Sequence, residues 1–254
     1  MKPLALETIG LSKSFGALSV IEPLDFQLEE GARHALIGPN GAGKTTFINL
    51  VSGRLRPGAG RILLAGVDIS GKAQHQRVHL GLCRTFQINS LFNGLSVLEN
   101  IWLSLSEREG TAWNMIRSAG RYRAMLDEAQ TLAASFGLGD VAAEPVRTLS
   151  YGQQRLVEIA VALALRPSVL LLDEPAAGVP SGESRLILDA LELLPSRIAI
   201  LLIEHDMDIV HRFARRITVL DRGRILAEGA PDEIAANDDV RRIYFGESGM
   251  SVHG

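Results

Sequence analysis

Residues Gly38 to Thr46 read GPNGAGKTT, and no other stretch constrains the fold of this chain as much. The run fits G-x-x-x-x-G-K-[ST], the P-loop pattern. It sits where the pattern requires, after an apolar strand-like segment (Ala35 to Ile37) and before KTTFINLVSG, a helix-like segment ending in a glycine suited to a C-terminal cap. Glycines let backbone N–H groups curl around an anion where a Cβ would clash. The following helix directs its positive end at that anion. Lys44 can then reach the β- and γ-phosphates of a nucleotide, and Thr45 can ligate Mg²⁺. Gly38, Pro39, Asn40, Gly41, Ala42, Gly43, Lys44, Thr45 and Thr46 are therefore the expected phosphate-binding residues. The four fixed positions coincide by chance about once in a hundred chains of this length, so the functional reading prevails.

A P-loop needs a carboxylate partner, and VLLLDE, Val169 to Glu174, supplies one. At the C-terminal end of a buried strand, Asp173 can hold Mg²⁺ through water, while Glu174 can orient or deprotonate an attacking water. An apolar strand followed by Asp-Glu is commonplace alone and becomes specific only beside a P-loop. The chain has no Asn-Lys-x-Asp guanine-reading motif, so ATP with Mg²⁺ is the expected ligand.

The bulk numbers narrow the class. The 254 residues suffice for one sizeable α/β domain, and 46 % apolar content can fill a core. Lys and Arg total 26 against 29 Asp and Glu, net −3, which argues against a nucleic-acid-coating protein. A single cysteine, Cys83, allows no internal disulfide and suits a reducing compartment. No signal peptide is expected at the N-terminus. Apolar runs such as Val169 to Leu172 and Ile198 to Ile203 are far too short to span a bilayer, so a pore would require another chain.

Periodicity gives the organisation. Short strands are expected at Leu4–Ile9, Ile21–Leu28, Ala35–Ile37 and Arg61–Ala65. From Val97 to about Phe136 the pattern turns helical, with Met125, Ala129, Leu132 and Phe136 on one face and Gly137 as the stop. Alternation then resumes. A helix carries Leu156, Ile159, Ala160 and Leu163, and another carries Leu186, Ala190, Leu193 and Leu194. Strands at Val169–Leu172, Ile198–Ile203 and Ile217–Leu220 surround a helix at Met207–Ala214. Uninterrupted apolar strands indicate a parallel sheet covered on both faces, hence an α/β core. That core is expected over approximately 1–87 and 151–254, with a helical subdomain inserted over approximately 88–150.

Further elements, in order, give a family resemblance. Phe15 in LSKSFG, Gln87 in RTFQ, LSYGQQ (Leu149 to Gln154), AAGVPS (Ala176 to Ser181) and His205 in IEHD accompany the P-loop and VLLLDE. Over essentially its whole length the chain resembles the ATP-binding subunits of ABC transporters. The resemblance implies a P-loop NTPase with a RecA-like core, an N-terminal antiparallel β portion and an inserted helical subdomain. It makes Phe15 the adenine-stacking aromatic, where Tyr is more usual. Gln87 becomes the residue that touches Mg²⁺ and the attacking water, and His205 the switch histidine at the γ-phosphate. Ser150, Gly152 and Gln153 fall in the signature segment, with Tyr151 replacing a glycine. In the family that segment faces the γ-phosphate held by a second ATPase subunit. The residues alone say less: Ser150 can cap a helix starting at Tyr151, with Gln153 completing a capping box.

LSYGQQRLVEIA, DEPAAG, LLIEHDM, RTFQ and the tail VRRIYFGES look like one ATPase of bacterial branched-chain amino acid importers. Relatives of that group move urea, amides or other small polar solutes. The implied partners are transmembrane permease subunits, a second and different ATPase subunit and, indirectly, a periplasmic solute-binding protein; nucleic acid is not among them. The implied location is the cytoplasmic face of the bacterial inner membrane. Three rivals fare worse. An ABC ATPase acting on DNA or ribosomes usually has two ATPase units or a long coiled coil. A small-molecule kinase does not explain LSYGQQ. A non-catalytic sensor does not explain Glu174 and His205. One departure stands out: where the family loop usually carries Asp or Asn, often followed by Pro, this chain has Pro180 and Ser181, which suggests weakened coupling to the partner's nucleotide site unless Ser181 compensates from the next position. His75 and His79, spaced i, i+4 with no third ligand nearby in sequence, read as a solvated helix face, and Cys83 as a small core residue.

Overall fold

The computed structural model describes residues 2–85, 91–110, 119–179 and 181–245. The chain divides into two compact units: Met1–Arg77 with Ser196–Gly254, and Val78–Pro195.

The first unit holds an antiparallel sheet and a mainly parallel one. β1 (Leu4–Phe15) pairs with β2 (Leu18–Glu29) on one side and β4 (Ala59–Leu64) on the other, and β4 pairs with β5 (Val67–Asp68). Both long strands exceed the expected ranges, and β5 was not expected. The reason lies in the register. Pairing slips between Thr8 and Leu11 around Gly10, whose φ is +56°, so apolar alternation lapses although the ladder continues. Leu6, Leu11, Leu24, Phe26, Leu28 and Ile62 form the buried face.

In the other sheet of this unit, β3 (Arg33–Ile37) lies parallel between β8 (Ala199–Ile203) and β9 (Arg216–Asp221), and β10 (Arg224–Gly229) runs antiparallel to β9. The β9–β10 turn uses Arg222 and Gly223, both at positive φ, the backbone a two-residue hairpin needs. Every residue of β8 is buried, as strands covered on both faces require. β10 is not among the expected strands because its apolar residues, Ile225 to Ala227, form one short run without alternation in the sequence. α1 (Lys44–Ser52) starts directly after the Gly-rich loop and ends at Gly53, φ +83°. Buried Arg77 serves that end, donating to Leu50 O at 2.8 Å and Val51 O at 2.6 Å. Burial pulls its guanidinium down to about 10. α7 (Met207–Phe213) is N-capped by Asp206, and α8 (Pro231–Ala236) and α9 (Asp238–Phe245) complete the unit.

α2 (Gln74–His79) leads into the second unit. There β6 (Leu82–Arg84) lies parallel to β7 (Val169–Asp173), with α3 (Val97–Arg108), α4 (Ala119–Ser135), α5 (Tyr151–Ala164) and α6 (Ser181–Glu192). The guanidinium of Arg108 ties three helices together: it grips Glu128 of α4 at 2.8 and 2.9 Å and donates to Ala164 O of α5 at 2.8 Å. Met125, Ala129 and Phe136 are buried as expected, but Ala133 rather than Leu132 fills the fourth place. The α6 stripe needs a larger correction. Leu186 and Leu193 are exposed, and Ile187, Ala190, Leu191 and Leu194 face inward. The leucine-rich helix offers two overlapping stripes of helical period, which periodicity alone does not rank. Cys83 is buried, and burial pushes its thiol up to about 12, as befits a core residue. His79 lies 3.6 Å from Glu107 of α3, a neighbour its sequence surroundings do not reveal. Among the described residues no helix is long and apolar enough to cross a membrane.

Candidate nucleotide site

The Gly-rich loop sits at the carboxyl end of β3, where parallel sheets bind ligands. Its glycines are demanded by space as well as by conformation. A Cβ on Gly38 would lie 2.1 Å from Leu220 O, and one on Gly43 would lie 2.7 Å from Ile21 Cδ1. Gly41 faces open space, and its φ of +82° is what requires glycine there. Gly223 N donates to Ala42 O at 2.9 Å, so the tight β9–β10 turn buttresses the loop. Lys44 Nζ donates to Gly38 O at 2.7 Å and Pro39 O at 3.0 Å. The ammonium is thus folded back over the mouth of the loop, a position from which an arriving phosphate can claim it. Asn40 and Thr45 are exposed, Pro39 and Thr46 half-buried.

β8 brings the histidine to the same level. Leu36 pairs with Ile203 in the parallel register, so Gly38 and His205 each stand two residues past a paired position. The His205 side chain is 66 % exposed, next to buried Glu204. Glu204 also accepts from His205 N at 3.2 Å. Phe15, at the end of β1, is exposed, with Lys13 Nζ 5.3 Å from the ring centroid. The ammonium lies over the ring as a cation–π pair, and a stacking base would share the exposed ring with it or displace it.

In the second unit, β7 delivers Asp173 and Glu174. Arg84 of β6 donates to Asp173 Oδ2 at 2.5 Å. Sequence reading missed Arg84 as a site residue although it opens the RTFQ motif. No spacing signals it, because the contact arises from the pairing of β6 with β7 and joins residues 89 positions apart in the chain. Gln87 itself, and Pro180, lie outside the described residues. Glu174 has φ +47°, left-handed backbone that a non-glycine residue adopts at a cost of roughly 1–3 kcal/mol. Ala177 N donates to its carbonyl at 3.0 Å, closing the turn that holds this conformation.

The signature segment folds as its capping logic demands. Ser150 caps α5: Gln153 N donates to Ser150 Oγ at 3.3 Å, and Ser150 N donates to Gln153 Oε1 at 3.0 Å. Tyr151, in place of the family's glycine, receives a 3.2 Å hydrogen bond from Arg155 and approaches Gly178 in the loop after Glu174. Arg155 is paired with buried Glu158 at 2.9 Å. Glu183 of α6 reaches the N-terminus of α5, accepting from Gly152 N at 2.7 Å. Nothing in the spacing of LSYGQQ indicated that carboxylate; the only cue is its place in the first turn of the next helix.

The cradle can accept a phosphate, and comparison with known proteins agrees. The ABC transporter family profile matches residues 21–177, and the profile of branched-chain amino acid ATP-binding cassette transporters matches residues 224–249. The high-affinity branched-chain amino acid transport ATP-binding protein BraF of Pseudomonas aeruginosa is 36 % identical over 96 % of this chain and 98 % of its own length. The protein of the same description, LivG, from Salmonella typhimurium is 37 % identical over 94 % of this chain and 96 % of its own. Two crystal structures of ATP-binding cassettes of ABC transporters, one nucleotide-free and one in an ADP conformation, each superpose with a TM-score of 0.83 at 30 % identity, covering 96 % of this chain. They cover 100 % and 99 % of their own lengths. The nucleotide loop, the signature helix and the full-length likeness lead to one assignment: the chain belongs to the ABC transporter family, as an ATP-binding cassette.

Proposed function

We propose that this chain hydrolyses ATP to energise an importer of small polar solutes, branched-chain amino acids foremost. The near-complete alignment with BraF and LivG, extended by the tail match over residues 224–249, carries the solute assignment. Urea or amides are the alternative solutes. The partners in this reading are transmembrane permease subunits, a second and different ATPase subunit, and a periplasmic solute-binding protein acting through the permease. The chain then works at the cytoplasmic face of the inner membrane as a peripheral subunit.

Each residue has a stated task. The loop from Gly38 to Thr46 binds the phosphates, and Lys44 exchanges its two carbonyl partners for phosphate oxygens. Phe15 stacks on adenine. Glu174 takes the proton of the attacking water, His205 donates to the γ-phosphate, and Gln87 positions the water. Thr45, Asp173 and Gln87 would hold Mg²⁺, which when bound neutralises charge building on the phosphates. Oxygen donors suit that hard cation, and Arg84 fixes one oxygen of Asp173 while leaving the other. Ser150, Gly152 and Gln153 present the signature helix to ATP on the second ATPase subunit.

The test is to purify the tagged chain from its native membrane, identify the subunits that accompany it, and assay the complex. Release of inorganic phosphate that rises with the permease present supports the reading. Transfer of phosphate to a small molecule, or a lone chain with full activity as a tight ATP-independent homodimer, refutes it.

A further inference from the structure

The signature face of this chain is already occupied by an anion of its own. One oxygen of Glu183 accepts from Ser150 Oγ at 3.1 Å and from Gly152 N at 2.7 Å. These bonds are not needed to cap α5. The Ser150–Gln153 capping box is complete without them and uses the lone pair of Ser150 Oγ and the amide of Gln153. Glu183 takes the hydroxyl proton and the second amide of the helix. Gly152 makes the approach possible, since a Cβ there would lie 2.5 Å from the carboxylate oxygen. The arrangement is the one an anion-binding helix end offers a phosphate, filled instead by a carboxylate from the helix that follows the Glu174 loop.

We propose that Glu183 is a resident anion that closes the signature face of the free chain and must swing away before the γ-phosphate held by the second ATPase subunit docks on Ser150 and Gly152. The inference rests on the transporter reading above. Two anions cannot share these two protons. A phosphate arriving beside the carboxylate meets like-charge repulsion without the two donors that Glu183 holds to offset it. Displacing Glu183 therefore raises the ATP concentration at which the two ATPase chains close. It also keeps the face from engaging weaker anions.

The experiment uses the whole complex purified through this chain, with wild type and Glu183→Gln compared for hydrolysis against MgATP concentration and for melting temperature. Glutamine keeps the shape and an acceptor oxygen but not the charge. Half-maximal ATP is expected to fall roughly tenfold with little change in kcat, because charge-assisted bonds are about twice as strong as neutral ones. A merely structural link would lower the melting temperature and leave half-maximal ATP unchanged or raised, and either result overturns the proposal. Should the glutamine variant fail to assemble, Glu183→Asp, with the charge on a shorter arm, is expected to shift half-maximal ATP the same way by a smaller factor; no shift overturns the proposal. A wild-type complex without ATP turnover brings down the transporter reading itself, whereas normal wild-type turnover with unshifted variants brings down only the role of Glu183.

Discussion

Three residues carry the sharpest tests. Lys44→Ala removes the cation poised over Gly38 and Pro39, so calorimetry should find ATP affinity lower by roughly a hundredfold, the loss of one or two charge-assisted bonds. Unchanged affinity would remove the loop from the site. Glu174→Gln keeps the side chain's shape and cannot take a proton. The assembled complex should bind ATP normally and turn over at least a hundredfold more slowly, within the roughly 10²–10⁴ range of general-base removal. His34, away from the nucleotide loop at the start of β3, tests the core. Its Nε2 is 2.8 Å from Thr218 Oγ1, which donates to Glu228 at 2.7 Å; that leaves Nε2 as the donor to Thr218. Burial pulls the imidazole down from 6.5 to about 4. The lowered folded value means the unfolded chain binds the proton first. Stability from this group is complete above pH 6.5 and drains away as pH falls towards 4. The unfolding free energy of wild type relative to His34→Gln should drop by about 3 kcal/mol between pH 7 and 4. A pH-independent difference would mean that His34 is charged, or free to charge, in the fold.

At the scale of elements, α1 is the helix that aims the loop, and its C-terminal carbonyls depend on Arg77. Arg77→Met fills the space but leaves Leu50 and Val51 carbonyls buried without that donor, and urea unfolding should show a loss of about 3 kcal/mol. A loss below about 0.5 kcal/mol, the range of an ordinary surface substitution, would contradict that role. Arg77 also shows where sequence reading stops. Local chemistry was legible: the Gly-rich loop, the Gly53 cap, the Ser150–Gln153 box and the apolar strands β3, β7 and β8 all follow from residues a few positions apart. Contacts made across long loops were not. Arg77 on the end of α1, Arg84 on Asp173 and Glu183 on Gly152 join residues 26 to 89 positions apart, and no period or spacing encodes them. The α6 stripe failed for a different reason, because Leu186 and Leu193 compete with Ile187 and Leu194 for the inward face and only packing decides. The effect expected of Pro180 on coupling between nucleotide sites rests on sequence alone, and Ser181 is the first residue of α6. Pro180→Asn in the assembled complex should alter turnover selectively at the partner's site.

The whole molecule is read as one half of a composite engine, so the chain alone should be a slow ATPase and mostly a monomer. The permease and a second ATPase subunit would complete it. The central claim is that ATP turnover at Lys44 and Glu174 drives solute uptake. The most direct measurement is uptake of radiolabelled leucine into proteoliposomes that hold the purified complex, with MgATP supplied to the face carrying this chain and the solute-binding protein to the other. The account predicts saturable, ATP-dependent leucine accumulation that Glu174→Gln in this chain reduces at least tenfold. Accumulation that survives the substitution unchanged, or that never depends on ATP, would contradict it.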